Sequence, residues 1–192
     1  VAAAEGMNEV RGWDPTHQHV ALSSLDPATG EILAEYAGAD YLARQQNAVT
    51  QDIAMAGSAF KPFALLANAR LDGSVYDTYS GKSPQYFPGM SVPVSNDGGY
   101  SFGNVTLVRA TEYSMNTAYV ALNLDVGPQR TLEAAIDAGI PEDTLGLNDE
   151  LLNVLGSASP HNIDLATAYS TIANGGERVN AHIVKKVEDS RG

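Results

Sequence analysis

Strand-like sequence is confined to the two ends of this chain and helix-like sequence to its middle, and that segregation is what most limits the fold. From His19 the residues run Val20-Ala21-Leu22-Ser23-Ser24-Leu25, then Asp26-Pro27-Ala28-Thr29-Gly30, then Glu31-Ile32-Leu33-Ala34-Glu35-Tyr36. Two short apolar runs around a Pro/Gly turn predict a β-hairpin over 19–37. At the other end, 178–187 has strand character and leads into the turn-like Glu188-Asp189-Ser190-Arg191-Gly192. A turn there implies a returning strand that these residues do not hold, so the expectation is a fold that continues past Gly192.

The middle, 57–177, reads as mainly helical. Phe60, Phe63, Ala64 and Ala67 recur at helical spacing within Gly57 to Arg70, and Pro62 falls in the first turn, where a missing N–H has no intrahelical acceptor to lose. Further helices are expected over Val105 to Tyr113, Thr117 to Leu124, Pro128 to Ala138 before Gly139 and Pro141, and Ile163 to Ala173 between Ser159-Pro160 and Asn174-Gly175-Gly176. Residues 72–103 are rich in Gly, Pro, Ser, Asn and Tyr without a period, longer than an ordinary connection, and loops of that kind are functional or disordered. Residues 1–18, punctuated by Gly6, Gly12 and Asp14-Pro15, read as a lead-in linker to a domain over 19–192.

Composition removes several classes of function. Hydrophobic residues at 44% and charged residues at 18% describe a globular chain. A net charge of -12 repels phosphate backbones and anionic lipid, so no nucleic-acid partner is expected. With no cysteine there is no disulfide scaffold, thiolate zinc site or cysteine nucleophile. His17 and His19 lack a third ligand, and neither Gly98-Gly99 nor Gly175-Gly176 continues as a phosphate loop, so neither a metal nor a cofactor is expected. No apolar run approaches the roughly 18 residues of a membrane helix.

Ser58 and Lys61 are the residues with chemistry to offer. Three apart at a helix start, they share a face, so the amine can approach the hydroxyl. A serine hydroxyl needs a base to take its proton, and a lysine serves when burial lowers its pKa. Backbone donors at the helix start, including the Ser58 N–H, can stabilise an oxyanion. Chance alone would supply about 0.3 pairs of this spacing, so the pair by itself is weak. Ser114-Met115-Asn116, in a break between two helices, adds a second hydroxyl to relay a proton and an amide to hold a carbonyl or orient the lysine.

Ser58-x-x-Lys61 followed by Ser114-x-Asn116 resembles the penicillin-recognising serine acyltransferases. The surroundings, Asn47-Ala48 ahead of Gly57-Ser58-Ala59-Phe60-Lys61-Pro62-Phe63, then Asn96-Asp97-Gly98-Gly99-Tyr100 and Gly103-Asn104-Val105-Thr106-Leu107 leading into Ser114, are similar to the transpeptidase domain of bifunctional class A penicillin-binding proteins. The resemblance spans roughly His19 to Val187. It implies an α+β fold of the penicillin-binding-protein and serine β-lactamase kind, here a hairpin plus a mainly helical subdomain without the late sheet strands.

The resemblance further implies that Ser58 attacks the penultimate D-alanine carbonyl of a peptidoglycan stem peptide, with Lys61 as general base, Ser114 as proton relay and Asn116 orienting substrate and lysine. β-Lactams would acylate Ser58, and the parent protein would be anchored at the outer face of a bacterial cytoplasmic membrane. The family's Lys-Thr/Ser-Gly element is not found in these residues; Gly81-Lys82-Ser83 has the wrong order. Without its oxyanion donor the isolated chain is expected to acylate slowly or not at all, and its unpaired sheet edge to invite self-association. A serine β-lactamase, and a truncated module that binds without turnover, stay open as alternatives.

Overall fold

The structure, a computed structural model, describes residues 1–14 and 16–189. It divides into two compact units. The first gathers residues 1–54, 138–141 and 160–192, and the second 55–137 and 142–159.

The first unit opens with a short helix, α1 (Ala2–Gly6), and a 3-10 turn, Met7–Glu9, where a plain linker is expected. Its centre is the hairpin β1 (Leu22–Leu25) and β2 (Ile32–Tyr36), antiparallel with Leu22 opposite Tyr36 and an irregularity between Ser24 and Leu25. Asp26 builds the turn: its Oδ1 accepts from the Ala28 N–H at 2.8 Å, and its carbonyl from the Gly30 N–H at 2.8 Å. Gly30 has φ +79°, and a Cβ there would meet the Asn180 carbonyl oxygen at 2.3 Å, so the turn needs glycine for conformation and space alike.

Two expectations change here. Residues 178–187 form no strand; His182 alone makes a parallel bridge to Glu31, its N–H donating to the Gly30 carbonyl and its own carbonyl accepting from Ile32. Strand propensity becomes a strand only where a partner ladder continues, and this one ends after a single residue. The last helix, α6 (Asn162–Ala173), was expected with the helical middle but packs on β1, where Ser23 Oγ donates to Asn162 Oδ1 at 2.7 Å.

The second unit is helical around a small sheet. A 3-10 turn, Gly57–Phe60, runs into α2 (Lys61–Ala69), with Pro62 in its first turn. Next come β3 (Thr78–Ser80) and β4 (Asn104–Thr106), paired antiparallel, then α3 (Leu107–Glu112), α4 (Asn116–Val126) and α5 (Pro128–Ala138), whose last residue clusters with the first unit. The β3–β4 pair closes part of the aperiodic 72–103 stretch; strands three residues long leave no readable alternation in a sequence. α2 packs on α4, and Phe60, Phe63, Ala64, Ala67, Leu107, Met115, Tyr119 and Leu122 are fully buried. The Phe60 and Phe63 rings meet edge to face at 4.9 Å. Among the described residues no helix is long and apolar enough to cross a membrane.

Candidate active site

Local structure at each end of the site follows from sequence. Helical geometry places Ser58 and Lys61 on one face, and the turn carrying Ser58 is braced by 156–158: the Gly57 N–H donates to the Gly156 carbonyl at 3.1 Å, and the Ala56 N–H to that of Ala158 at 2.8 Å. A Cβ on Gly156 would lie 2.1 Å from the Gly57 carbonyl oxygen, so only glycine lets these backbones meet.

Ser114 sits where α3 stops. Its N–H donates to the Thr111 carbonyl at 3.0 Å and the Met115 N–H to that of Ala110 at 2.8 Å, the paired bonds of a Schellman ending. Ser114 takes the left-handed position of that motif, φ +50°, where glycine is the usual residue. The strained turn brings both oxygens of Ser114 onto one atom of α2.

That atom is Lys61 Nζ. It lies 3.0 Å from Ser58 Oγ, 2.9 Å from Ser114 Oγ, 2.7 Å from the Ser114 carbonyl oxygen and 2.8 Å from Asn116 Oδ1. All four residues singled out from the sequence therefore meet at one point. Lys61 is only 3% exposed. Burial brings its pKa down to about 8, and no ion pair reaches it among the described residues.

Proton counting shows what this arrangement can do. The Ser114 carbonyl and Asn116 Oδ1 only accept, so they occupy two N–H bonds. A neutral amine has two, plus a lone pair left to accept from a serine hydroxyl. Asn116 presents its oxygen because its Nδ2 donates to the Ser95 carbonyl at 2.9 Å. Under the amine lies the buried ring of Tyr119, its centroid 5.6 Å from Nζ and its hydroxyl 2.5 Å from Thr111 Oγ1. Tyr119 and Ser95 were not foreseen. Tyr119 stands three residues after Asn116 on the same helix face, a legible signal, whereas Ser95 lies in the aperiodic stretch and has none.

The histidines lie elsewhere. His17 Nδ1 is 2.8 Å from Asp14, and His19 Nδ1 is 3.1 Å from Asp52 in the first unit. Arg44 and Gln46 donate to the same Asp52 carboxylate.

Two serine hydroxyls, each in contact with one desolvated amine, are the groups that serine acyl transfer needs: a nucleophile, a base and a second hydroxyl within reach of that base. Known proteins point the same way. The family described as penicillin binding protein transpeptidase domain matches residues 21–191. Penicillin-binding protein 1A of Mycolicibacterium smegmatis is 34% identical over 210 residues, covering 100% of this chain and 25% of that protein. The protein of that name from Neisseria lactamica is 32% identical, covering 90% and 22%. Among solved structures, the penicillin-binding protein PonA1 from Mycobacterium tuberculosis superposes with a TM-score of 0.84 at 29% identity, covering 100% of this chain and 51% of that one. PonA1 in complex with penicillin V gives 0.83 at 31%, covering 100% and 53%. The chain belongs to the penicillin-binding protein transpeptidase domain family, and it spans about a quarter of the length of the curated relatives it matches.

Proposed function

We propose that this chain carries the serine, lysine and Ser-x-Asn half of a D,D-transpeptidase site that joins peptidoglycan stem peptides and is acylated by β-lactams. The observation that carries the reading is the buried Lys61 amine, 3.0 Å from Ser58 Oγ and with its pKa brought down to about 8, so that its neutral form is within easy reach. In the first step the Ser58 proton moves to the Lys61 lone pair and Oγ bonds to the carbonyl carbon of the penultimate D-alanine. The C–N bond to the terminal D-alanine then breaks, the leaving amine taking a proton through the Ser114 hydroxyl. An amine of a second stem peptide displaces Ser58 from the acyl-enzyme and restores it. Asn116 orients Lys61 and the donor peptide.

The oxyanion receives the Ser58 N–H, at the start of the turn that leads into α2. These residues contain no Lys-Thr/Ser-Gly element to supply the family's other donor, and one missing donor costs on the order of 100-fold in rate or more. The whole protein is read as anchored at the outer face of a bacterial cytoplasmic membrane. The β1 edge away from β2, unpaired among the described residues, is read as a surface for self-association, checked by sedimentation over a range of concentrations.

Intact-mass measurement with excess penicillin tests the chemistry. A slow adduct that maps to Ser58 and is lost in Ser58→Ala is expected. No adduct after prolonged incubation, or one that persists in Ser58→Ala, overturns the reading; a rapid stoichiometric adduct overturns only the expected slowness.

A further inference from the structure

The segment between β3 and β4 shows no period in sequence, yet one side chain ties it to the site. Asn96 is buried and its carboxamide is fully used. Nδ2 donates to the carbonyls of Gly81 and Tyr100, each at 3.1 Å, while Oδ1 accepts from the Thr117 N–H at 3.1 Å and from Thr117 Oγ1 at 3.2 Å. The Asn96 N–H donates to Ser83 Oγ at 2.9 Å. Thr117, fully buried, is the residue after Asn116 in the first turn of α4. Ser95, the residue before Asn96, accepts from Asn116 Nδ2. Two adjacent residues of the loop thus hold two adjacent residues of the helix.

We propose that Asn96 is a positioning residue: by locking the Ser95 carbonyl to the start of α4, it decides which end of the Asn116 carboxamide faces Lys61. With its NH2 engaged by Ser95, Asn116 has only Oδ1 left for the amine. Were Ser95 free to drift, the carboxamide would be free to turn its NH2 toward Nζ, setting donor against donor and removing an acceptor from the cage. The Asn96 side chain bonds to Gly81, Tyr100 and Thr117 and not to Ser58, Lys61 or Ser114, so its influence passes through Ser95, Asn116 and Thr117. The groups around Nζ are Ser58, Ser114, Asn116 and the Tyr119 ring, all uncharged. The consequence for catalysis rests on the acylation reading above; the positioning itself does not.

The test follows the lysine, independently of acylation. In carbon-13 lysine-labelled chain the Cε signal of Lys61, assigned with Lys61→Arg, is titrated against pH alongside the other three lysines. The wild-type midpoint is expected near 8. In Asn96→Ala the Asn116 carboxamide is free to turn its NH2 toward Nζ, and an ammonium that loses an acceptor gives up its proton more readily, so a fall of about one unit is expected. Asn116→Ala should move it the same way. Thr117→Val, which removes only the hydroxyl bond to Asn96, should move it by a few tenths and decides the matter if Asn96→Ala does not fold. A folded variant whose midpoint stays at the wild-type value, or rises, overturns the proposal, because loss of stability alone leaves the folded-state titration unchanged. Penicillin labelling run in parallel reports on the acylation reading separately.

Discussion

Each unit contains one conspicuous polar cluster, and the two treat charge in opposite ways. In the second unit Lys61 is almost wholly buried among neutral acceptors. In the first, the Asp52 side chain keeps 21% of its exposure and meets Arg44, His19 and Gln46. Burial alone would raise the Asp52 carboxyl, but the hydrogen bond and charge of Arg44, with His19 beside it, hold it below its usual value. For Lys61 nothing offsets burial, and the pKa falls. A half-hydrated carboxylate given a cation stays charged and serves as a tie. A dehydrated ammonium given only dipoles gives up its proton more readily than an ordinary lysine, and the neutral amine it leaves has a lone pair to use.

Substitutions in the two clusters should therefore differ in kind. Lys61→Ala should lower Ser58 acylation by about 10²–10⁴-fold, the usual range for losing a general base. Arg44→Ala should leave that rate unchanged, as read by mass spectrometry of the penicillin adduct. Equal losses in both variants would erase the distinction.

Packing around the lysine should dominate stability. Phe60→Ala, beside the lysine and fully buried, is expected to cost about 3–5 kcal/mol in denaturant unfolding. Leu42→Ala in the first unit, at 85% exposure, should stay within about 0.5 kcal/mol of wild type.

The pH dependence of stability gives a third contrast. Lys61 has a folded pKa near 8 against an ordinary 10.5, so between those values the unfolded chain binds the extra proton and stability rises with pH. The full window corresponds to on the order of 3 kcal/mol. Tyr79, pushed up to about 12 by burial and the charge of Asp125, keeps its proton in the folded state and opposes the rise above its usual 10.0, so the slope is best read from pH 8 to 10. Lys61→Met should flatten it.

Asp52 should show the opposite sign and a smaller size. Its folded pKa lies below 3.8, so its contribution is present above that value and lost as pH falls through the lower one. Asp52→Asn should cost less than about 1 kcal/mol near neutral pH, as part-exposed ion pairs do, and should leave the Lys61 midpoint in place.

Much of the site is local and therefore legible. Ser58 and Lys61 share a face because a helix repeats every 3.6 residues, and Pro62 marks where that helix begins. The expected bounds of α5 agree with those observed, Pro128 being at its start and Gly139 just past its end. Ser114 and Asn116 were legible only as a spaced motif. Their meeting with Lys61 depends on α2 packing against α4 and on a left-handed serine at the end of α3, neither of which is encoded in neighbouring residues. Asn96 was legible only as part of the run Asn96 to Tyr100 that carries the resemblance, and not for its role, since an asparagine in a turn-rich stretch reads as a turn former until its partners, Gly81, Tyr100 and Thr117, are brought alongside.

By itself the amino-acid order determined the hairpin turn, where the central helices run, and which residues have reactive side chains, because these depend on torsions and periods within a few residues. Folding in three dimensions decided that an amine, two serine hydroxyls and an amide oxygen would share one point, and that residues 178–187 would contribute a single bridge. Hydrogen bonds across more than 50 positions and the desolvation of one ammonium are set by packing, and packing has no local signature.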